Sequence, residues 1–453
     1  MSTERQEAKL KRNLGFWPLM GIAYGQIIGA GIVTNTGIAI GMTGTGVVLA
    51  YIISAICTTF TSFPSAILSA AVPVTGGNYR YISRLMDKRW GFVYLVTYFI
   101  SNMTIALYAL SCASYLGAFI TGISQNIIAI CLLLVFFFIN MIGTKESALV
   151  TTGMTLLLLL GMALFIFYGL PETDIAYVFD PSNLMANGPV SLLSSIALLS
   201  FATGGATVVV NYGSEAIDPA KNMPRIIFIS TITVGIMYAL VAMVASGVLP
   251  IEQVANQNLS LVAQEIMPGW AFVYFTLAAG AGATAKMLNV TLSWIAKPIL
   301  VACDDGVLPK SWGTVNKRGV PYKLLTMFML IGLIPLLMGL DISFISTMGT
   351  AISLVSTVMF SVAFLNLPKK YPEAYSRSTL KVSDTMLKVF GWGSVVLNLV
   401  FSFSLVLELP MTAVIAFLVV MAVSILYALK SKRLDAITIP DDLDIQYNDA
   451  NVQ

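Results

Sequence analysis

Twelve stretches of about twenty residues run through this chain almost free of charge. They lie at roughly 16–41, 47–72, 92–121, 127–142, 150–170, 190–216, 224–249, 270–302, 324–339, 343–367, 387–407 and 410–429. A helix of about 20 apolar residues is what it takes to cross a bilayer. Only 10% of the 453 residues are charged, against about 25% in an average soluble domain. The pattern predicts an all-α integral membrane bundle rather than two or three soluble domains. The first run follows Lys9, Lys11 and Arg12 like a signal peptide. It is too long and has no credible cleavage site, so it reads as a retained span.

The charges give an orientation. With the N-terminus in the cytoplasm, the loops after spans 2, 4, 6, 8 and 10 are also cytoplasmic. They carry Arg80, Arg84, Lys88, Arg89, Lys145, Lys221, Arg225, Lys310, Lys317, Arg318, Lys323, Lys369, Lys370, Arg377, Lys381 and Lys388. The opposite loops hold Glu172, Asp174, Asp180, Glu252, Glu265, Asp341 and Glu408, and no Lys or Arg. This is a positive-inside pattern without exception. It predicts a multi-pass protein of the cell membrane with both termini cytoplasmic. The two outer loops at 171–189 and 250–269 are long enough for local structure, and the acidic tail from 430 reads as disordered.

Several activities drop out early. The chain has no histidine, which removes histidine relays, zinc hydrolysis and Ser-His-Asp catalysis. Cys57, Cys112, Cys131 and Cys303 form no CxxC pair, so no metal or redox motif is expected. The net charge of +3 is too small to indicate nucleic acid. There is no P-loop and no cofactor signature. A membrane enzyme would need a cluster of ionisable groups at one depth, and none is present.

Two glycine clusters mark the chemistry. Span 1 contains Gly25-Gln26-Ile27-Ile28-Gly29-Ala30-Gly31-Ile32, and span 6 contains Phe201-Ala202-Thr203-Gly204-Gly205-Ala206-Thr207. Each lies about 20 Å into its helix at 1.5 Å per residue. Small residues serve close helix packing in membranes. Glycine also weakens a helix by ~1 kcal/mol relative to alanine. Five helices apart, at matching depths and opposite directions, the pair fits an inverted repeat with two discontinuous helices at the midplane. Broken ends there offer N–H groups to a carboxylate and carbonyls to a cation. Lys286, mid-way along span 8, is the charged residue placed deepest. An ammonium at that depth costs at least ~3 kcal/mol. No acidic residue lies at its level, so its expected partners are the freed carbonyls of a broken helix. It is a candidate for carrying a coupled proton.

The span 1 segment resembles the G-x-x-I-G-[SA]-G-I motif of the amino acid–polyamine–organocation superfamily. After span 6, Gly213-Ser214-Glu215-Ala216-Ile217-Asp218-Pro219-Ala220-Lys221-Asn222-Met223-Pro224-Arg225 resembles its E-x-x-[ND]-P-x-[KR]-N-x-P-[KR] segment. After span 8, Asp304-Asp305-Gly306-Val307-Leu308-Pro309 and Val315-Asn316-Lys317-Arg318-Gly319-Val320-Pro321 resemble its D-G-x-[LF]-P…V-N-x-x-G-x-P loop. The resemblance covers about 10–430 and implies a LeuT-like fold. That means a 1–14 tail, a first five-helix repeat at 15–170, an inverted second at 190–367, two further helices at 387–429, and a tail at 430–453.

The resemblance also implies a substrate site. Its carboxylate would meet the backbone around Gly29, Ala30 and Gly31, with Ile28 and Gln26 beside them. Its amine would meet the span 6 backbone near Ala202 and Thr203, continuing through Gly204 and Gly205. Phe201 stands where relatives carry an aromatic gate, and Tyr108 on span 3 borders the site. Two departures stand out. Thr207 replaces a frequent glutamate, and Leu158 stands near where some relatives carry a lysine, for which Lys286 would be the spatial replacement. A site without a carboxylate but with one cation favours a ligand bearing a carboxylate, most simply a small neutral amino acid. The competing reading, an amine, polyamine or cationic amino acid exchanger, needs an acidic site. The expected partners are therefore a small solute and the lipid bilayer.

Overall fold

The computed structural model describes residues 14–72, 77–142, 148–212, 216–378 and 380–439. The tail before Leu14, the segment 213–215 of the span 6 motif, Lys145 and the acidic residues beyond 440 lie outside them. The described chain is helical, apart from an isolated bridge between Leu14 and Ala216.

The helices that frame the interior are α1 (Phe16–Ile27), α2 (Ala30–Thr43), α3 (Val47–Thr61), α4 (Phe63–Ala71), α5 (Gly77–Leu85), α6 (Lys88–Ser101), α7 (Thr104–Leu116), α8 (Gln125–Ile142) and α9 (Ala148–Gly169). They continue with α10 (Gly188–Thr203), α11 (Pro219–Gly247), α12 (Gly269–Tyr274), α13 (Gly282–Trp294), α14 (Lys297–Asp304), α15 (Tyr322–Leu337), α16 (Ile342–Leu365), α17 (Asp384–Leu407) and α18 (Met411–Lys430). Among the described residues, ten helical stretches are long and apolar enough to cross a membrane. One of them, Phe16–Ala71, is 56 residues long and contains the first two expected spans. The ninth expected span is the shorter apolar helix α15.

Polar caps start several helices just where the apolar runs begin. Asp341 accepts from the Phe344 N–H at 2.7 Å, and Ser383 accepts from that of Met386 at 3.3 Å. Each cap satisfies one of the N–H groups a helix start leaves unpaired. In the loop after α9, the N–H and hydroxyl of Ser182 both donate to Asp180. They hold its carboxyl below the usual carboxylate range.

Five expected spans are not continuous α-helices. The first is interrupted at Ile28–Gly29, between α1 and α2, and the second at Ser62, between α3 and α4. The third breaks at Asn102–Met103 between α6 and α7. The eighth contains a π-helical stretch, Phe275–Ala281, between α12 and α13. The sixth changes to 3-10 helix over Gly204–Tyr212 after α10. The tail also differs from expectation at its start. Lys432–Asp435 is a short helix, and Leu434 is buried at 1% exposure.

The loops gather into two ends. At the basic end Arg84 pairs with Asp305, and Arg318 donates to the Ile142 carbonyl at 2.9 Å. At the acidic end Asn187 donates to the Met42 carbonyl at 2.9 Å and Asn256 to that of Gly37 at 2.8 Å.

Candidate functional site

The first span opens after Ile27. Ile28 is extended, with φ −82° and ψ 104°, and Gly29 adopts φ −169° and ψ −141°. Helix α2 begins at Ala30, and from there to Ile40 it is buried throughout. This break interrupts the i to i−4 ladder, so carbonyls near it need partners from elsewhere. Lys286 supplies them from α13. Its Nζ donates to the Gly25 carbonyl at 2.8 Å and to the Ile28 carbonyl at 3.4 Å. It also donates to Thr155 Oγ1 on α9 at 3.2 Å. Lys286 is 2% exposed. From α11, the Tyr238 hydroxyl donates to the Ile27 carbonyl at 2.9 Å.

The sixth span behaves differently. Its α-helix ends at Thr203, and the chain goes on as nine residues of 3-10 helix. The expected opening of this helix is therefore a change of helical type. Tightening keeps backbone groups paired internally, though runs beyond 3–4 residues are uncommon. Thr203 Oγ1 lies 2.8 Å from Thr58 Oγ1 and 3.2 Å from Ser54 Oγ, both on α3.

The glycines explain how closely the two spans meet. A Cβ on Gly31 would lie 2.7 Å from Ala202 Cα, and one on Gly205 would lie 2.8 Å from the Gln26 carbonyl oxygen. These glycines let backbone press on backbone. At Gly29 the obstacle would be the Met287 side chain, with Cγ at 2.4 Å.

A cavity of about 370 Å³ lies against both spans. Of the residues expected at the site, Gln26, Ala30, Gly31, Tyr108, Phe201, Gly204, Gly205 and Thr207 line it. Ile28, Gly29, Ala202, Thr203 and Lys286 stand outside its lining. Lys286 and the cavity thus address the first-span break separately. Asn102 lines the cavity, but Asn289 is turned to α8, where it accepts from Asn140 at 2.8 Å. No Asp, Glu, Lys or Arg lines the cavity among the described residues.

Several walls were not expected from sequence. Thr58 and Ser62 come from the second span, Thr350 and Ser353 from α16, Asn398 and Phe401 from α17. Hydroxyls in otherwise apolar runs are the signal that finds the first four of these. They are ambiguous, because Ser and Thr also bond to their own helix, as Ser62 does to the Thr58 carbonyl at 2.7 Å.

The cavity reaches toward the basic end, where Gly77 and Asn78 of α5 and Pro298 of α14 line it. The acidic end is packed shut. The Tyr115 hydroxyl donates to the Val33 carbonyl at 2.7 Å, and Ser346 donates to Asn35 Oδ1 at 2.8 Å. A Cβ on Gly37 would lie 1.7 Å from the Gln257 carbonyl oxygen, so that outer loop sits directly on α2.

Residues 14–431 match the family described as amino acid permease. The chain is 27% identical over 399 residues to the branched-chain amino acid permease BcaP of Bacillus subtilis, covering 81% of this chain and 83% of that one. It is 24% identical over 409 residues to the methylthioribose transporter of the same organism, covering 82% and 85%. It is also 24% identical over 308 residues to the chloroplastic cationic amino acid transporter 7 of Arabidopsis thaliana, covering 62% and 52%.

Proposed function

This chain belongs to the amino acid permease family, and we propose that it is a secondary transporter carrying a small neutral amino acid by alternating access. One observation carries the substrate class: the cavity touches both interrupted spans and, among the described residues, has no charged side chain in its lining. A zwitterion suits such a site. Its carboxylate is met by N–H groups at the start of α2, around Gly29, Ala30 and Gly31, where the helix dipole favours an anion. Its amine is met by carbonyls at the end of α10, near Ala202 and Thr203. Phe201 closes over it, with Gln26, Ile28, Tyr108, Gly204, Gly205 and Thr207 around it. A second cationic group on the ligand would enter the cavity without a counter-charge, which disfavours polyamines and cationic amino acids.

In this reading the chain crosses the membrane twelve times, as two inverted five-helix repeats and two further helices, with both termini in the cytoplasm of a cell that carries it in its plasma membrane. The cavity then opens inward. Lys286 replaces a sodium ion at the first-span break and carries coupling, by proton symport or in exchange.

A second reading has support of its own. The cavity wall is rich in hydroxyls, including Thr58, Thr61, Ser62, Ser353 and Thr357. Together with the methylthioribose transporter among the relatives, that suits an uncharged thiosugar. Uptake into proteoliposomes separates the readings. A panel of neutral, cationic and branched amino acids, amines and methylthioribose is tested with and without a proton gradient, sodium or internal substrate. Saturable uptake of neutral amino acids alone is expected. Uptake confined to amines, cationic amino acids or the thiosugar would overturn the substrate class.

A further inference from the structure

Two short helices frame the mouth of the cavity, and each is gripped at its far end. Helix α5 presents Gly77 and Asn78 to the cavity, and after two further residues α6 begins with Lys88 and Arg89. Helix α14 presents Pro298, and it is followed by Asp305 and Gly306. Arg84 joins the two through both oxygens of Asp305, at 2.7 and 3.0 Å, with its side chain 3% exposed and that of Asp305 8%. The Tyr79 hydroxyl donates to the same carboxylate at 2.9 Å.

The chain after α18 crosses this junction. Ser431 caps the short helix Lys432–Asp435, and Leu434 is buried beneath it. Lys88 Nζ donates to the carbonyls of Asp435 at 3.0 Å and Ile437 at 2.6 Å. Arg89 pairs with the Asp435 carboxylate at 2.5 Å, half-exposed on both sides. Arg433 reaches the Gly306 carbonyl at 3.4 Å. Gly306 has φ +81°, and a Cβ there would lie 4.0 Å from Ile437 Cγ1. The segment 431–439 therefore holds the α5–α6 corner with one part and the loop after α14 with another.

We propose that residues 431–439 act as a clamp that fixes the spacing of α5 and α14, and so sets how much of the population has the cavity open at the basic end. The clamp holds the outer ends of two helices whose inner ends are the mouth. A contact made in one arrangement of the mouth and loosened in another shifts the balance between them. The buried Arg84–Asp305 pair is the permanent hinge of this junction. The clamp's own ion pair is half-exposed and screened by salt, which makes it the adjustable part.

The test uses full-length protein in vesicles, with Cys57, Cys112, Cys131 and Cys303 replaced. One reporter is Asn78→Cys at the mouth, and another is Ile437→Cys on the clamp. Labelling rates with a maleimide applied to the basic end are measured in the parent, in Asp435→Arg, in Leu434→Asp, and in the charge swap Arg89→Asp with Asp435→Arg. Release is expected to raise labelling at 437 and lower it at 78 severalfold, and the swap is expected to bring both back toward the parent. Labelling at 437 that rises while labelling at 78 stays constant would overturn the clamp. So would labelling at 437 that no variant changes. Labelling needs no substrate, so this outcome is independent of what the protein carries.

Discussion

The first span opens at Ile28 and Gly29, whereas the sixth tightens at Gly204 into nine residues of 3-10 helix. An opened helix leaves carbonyls without internal donors, and burial in a membrane makes that costly. Side chains from α11 and α13 meet the cost at the first span, through Tyr238 and Lys286. A tightened helix keeps most of its bonding to itself, and the neighbours of the sixth span near Thr203 are neutral hydroxyls. The difference teaches where a buried cation belongs. It sits where backbone has been opened, and it is not needed where backbone has only been rewound.

The two spans also share a constraint, and breaking it should have the largest effect. Gly31 and Gly205 each face the backbone of the other span, which cannot yield as a side chain can. Gly205→Leu or Gly31→Leu should force the spans apart at a cost of about 3 kcal/mol or more and abolish substrate binding. Gly29→Ala meets only Met287, so it should be milder and should recover when Met287 is also shortened to alanine. Binding of labelled substrate to purified protein checks this. Wild-type affinity in Gly205→Leu would remove the close approach from the site.

Next in size is the cation itself. Lys286→Met keeps the volume but takes the donor from the Gly25 and Ile28 carbonyls. Each buried carbonyl left unpaired costs about 1–3 kcal/mol. The variant is expected to lower uptake by about tenfold or more, to lose any pH dependence of uptake, and still to purify as a folded protein. Uptake by the variant that equals the parent's at every pH from 5 to 8 would detach Lys286 from the transport step.

Much of this arrangement is legible in the sequence. The apolar runs give the helices, because length and lack of charge are local properties. A lysine at depth with no carboxylate at its level points to carbonyls as partners, and the Lys286 Nζ stands 2.8 Å from one. What the sequence leaves undecided is the form of each interruption. A glycine pair can open a helix, tighten it or merely admit a neighbour, and only the opposing backbone decides. Gly204-Gly205 tightens, and Gly31 stays inside α2. The break at Asn102–Met103 has no glycine or proline to announce it. The clamp is hidden for another reason. It is short and runs straight into an acidic tail, and its order comes from Lys88 and Arg89, more than 340 residues away.

The finest distinction between the two spans lies in their single hydroxyl partners. Tyr238→Phe removes the group that donates to the Ile27 carbonyl at the opened helix. Loss of one such bond costs about 1 kcal/mol, or roughly fivefold in a rate or affinity. Thr58→Val removes a neighbour of Thr203 at the rewound helix. There Thr203 Oγ1 keeps Ser54 at 3.2 Å and the Leu199 carbonyl at 3.2 Å, so its hydrogen bonding has somewhere to go. The effect should stay within about 0.5 kcal/mol, the range of an uncritical substitution. Initial uptake rates and thermal stability of the two variants, measured side by side, give the ratio. A Thr58→Val defect as large as that of Tyr238→Phe would mean that the sixth span also depends on outside donors, and that rewinding does not spare its backbone.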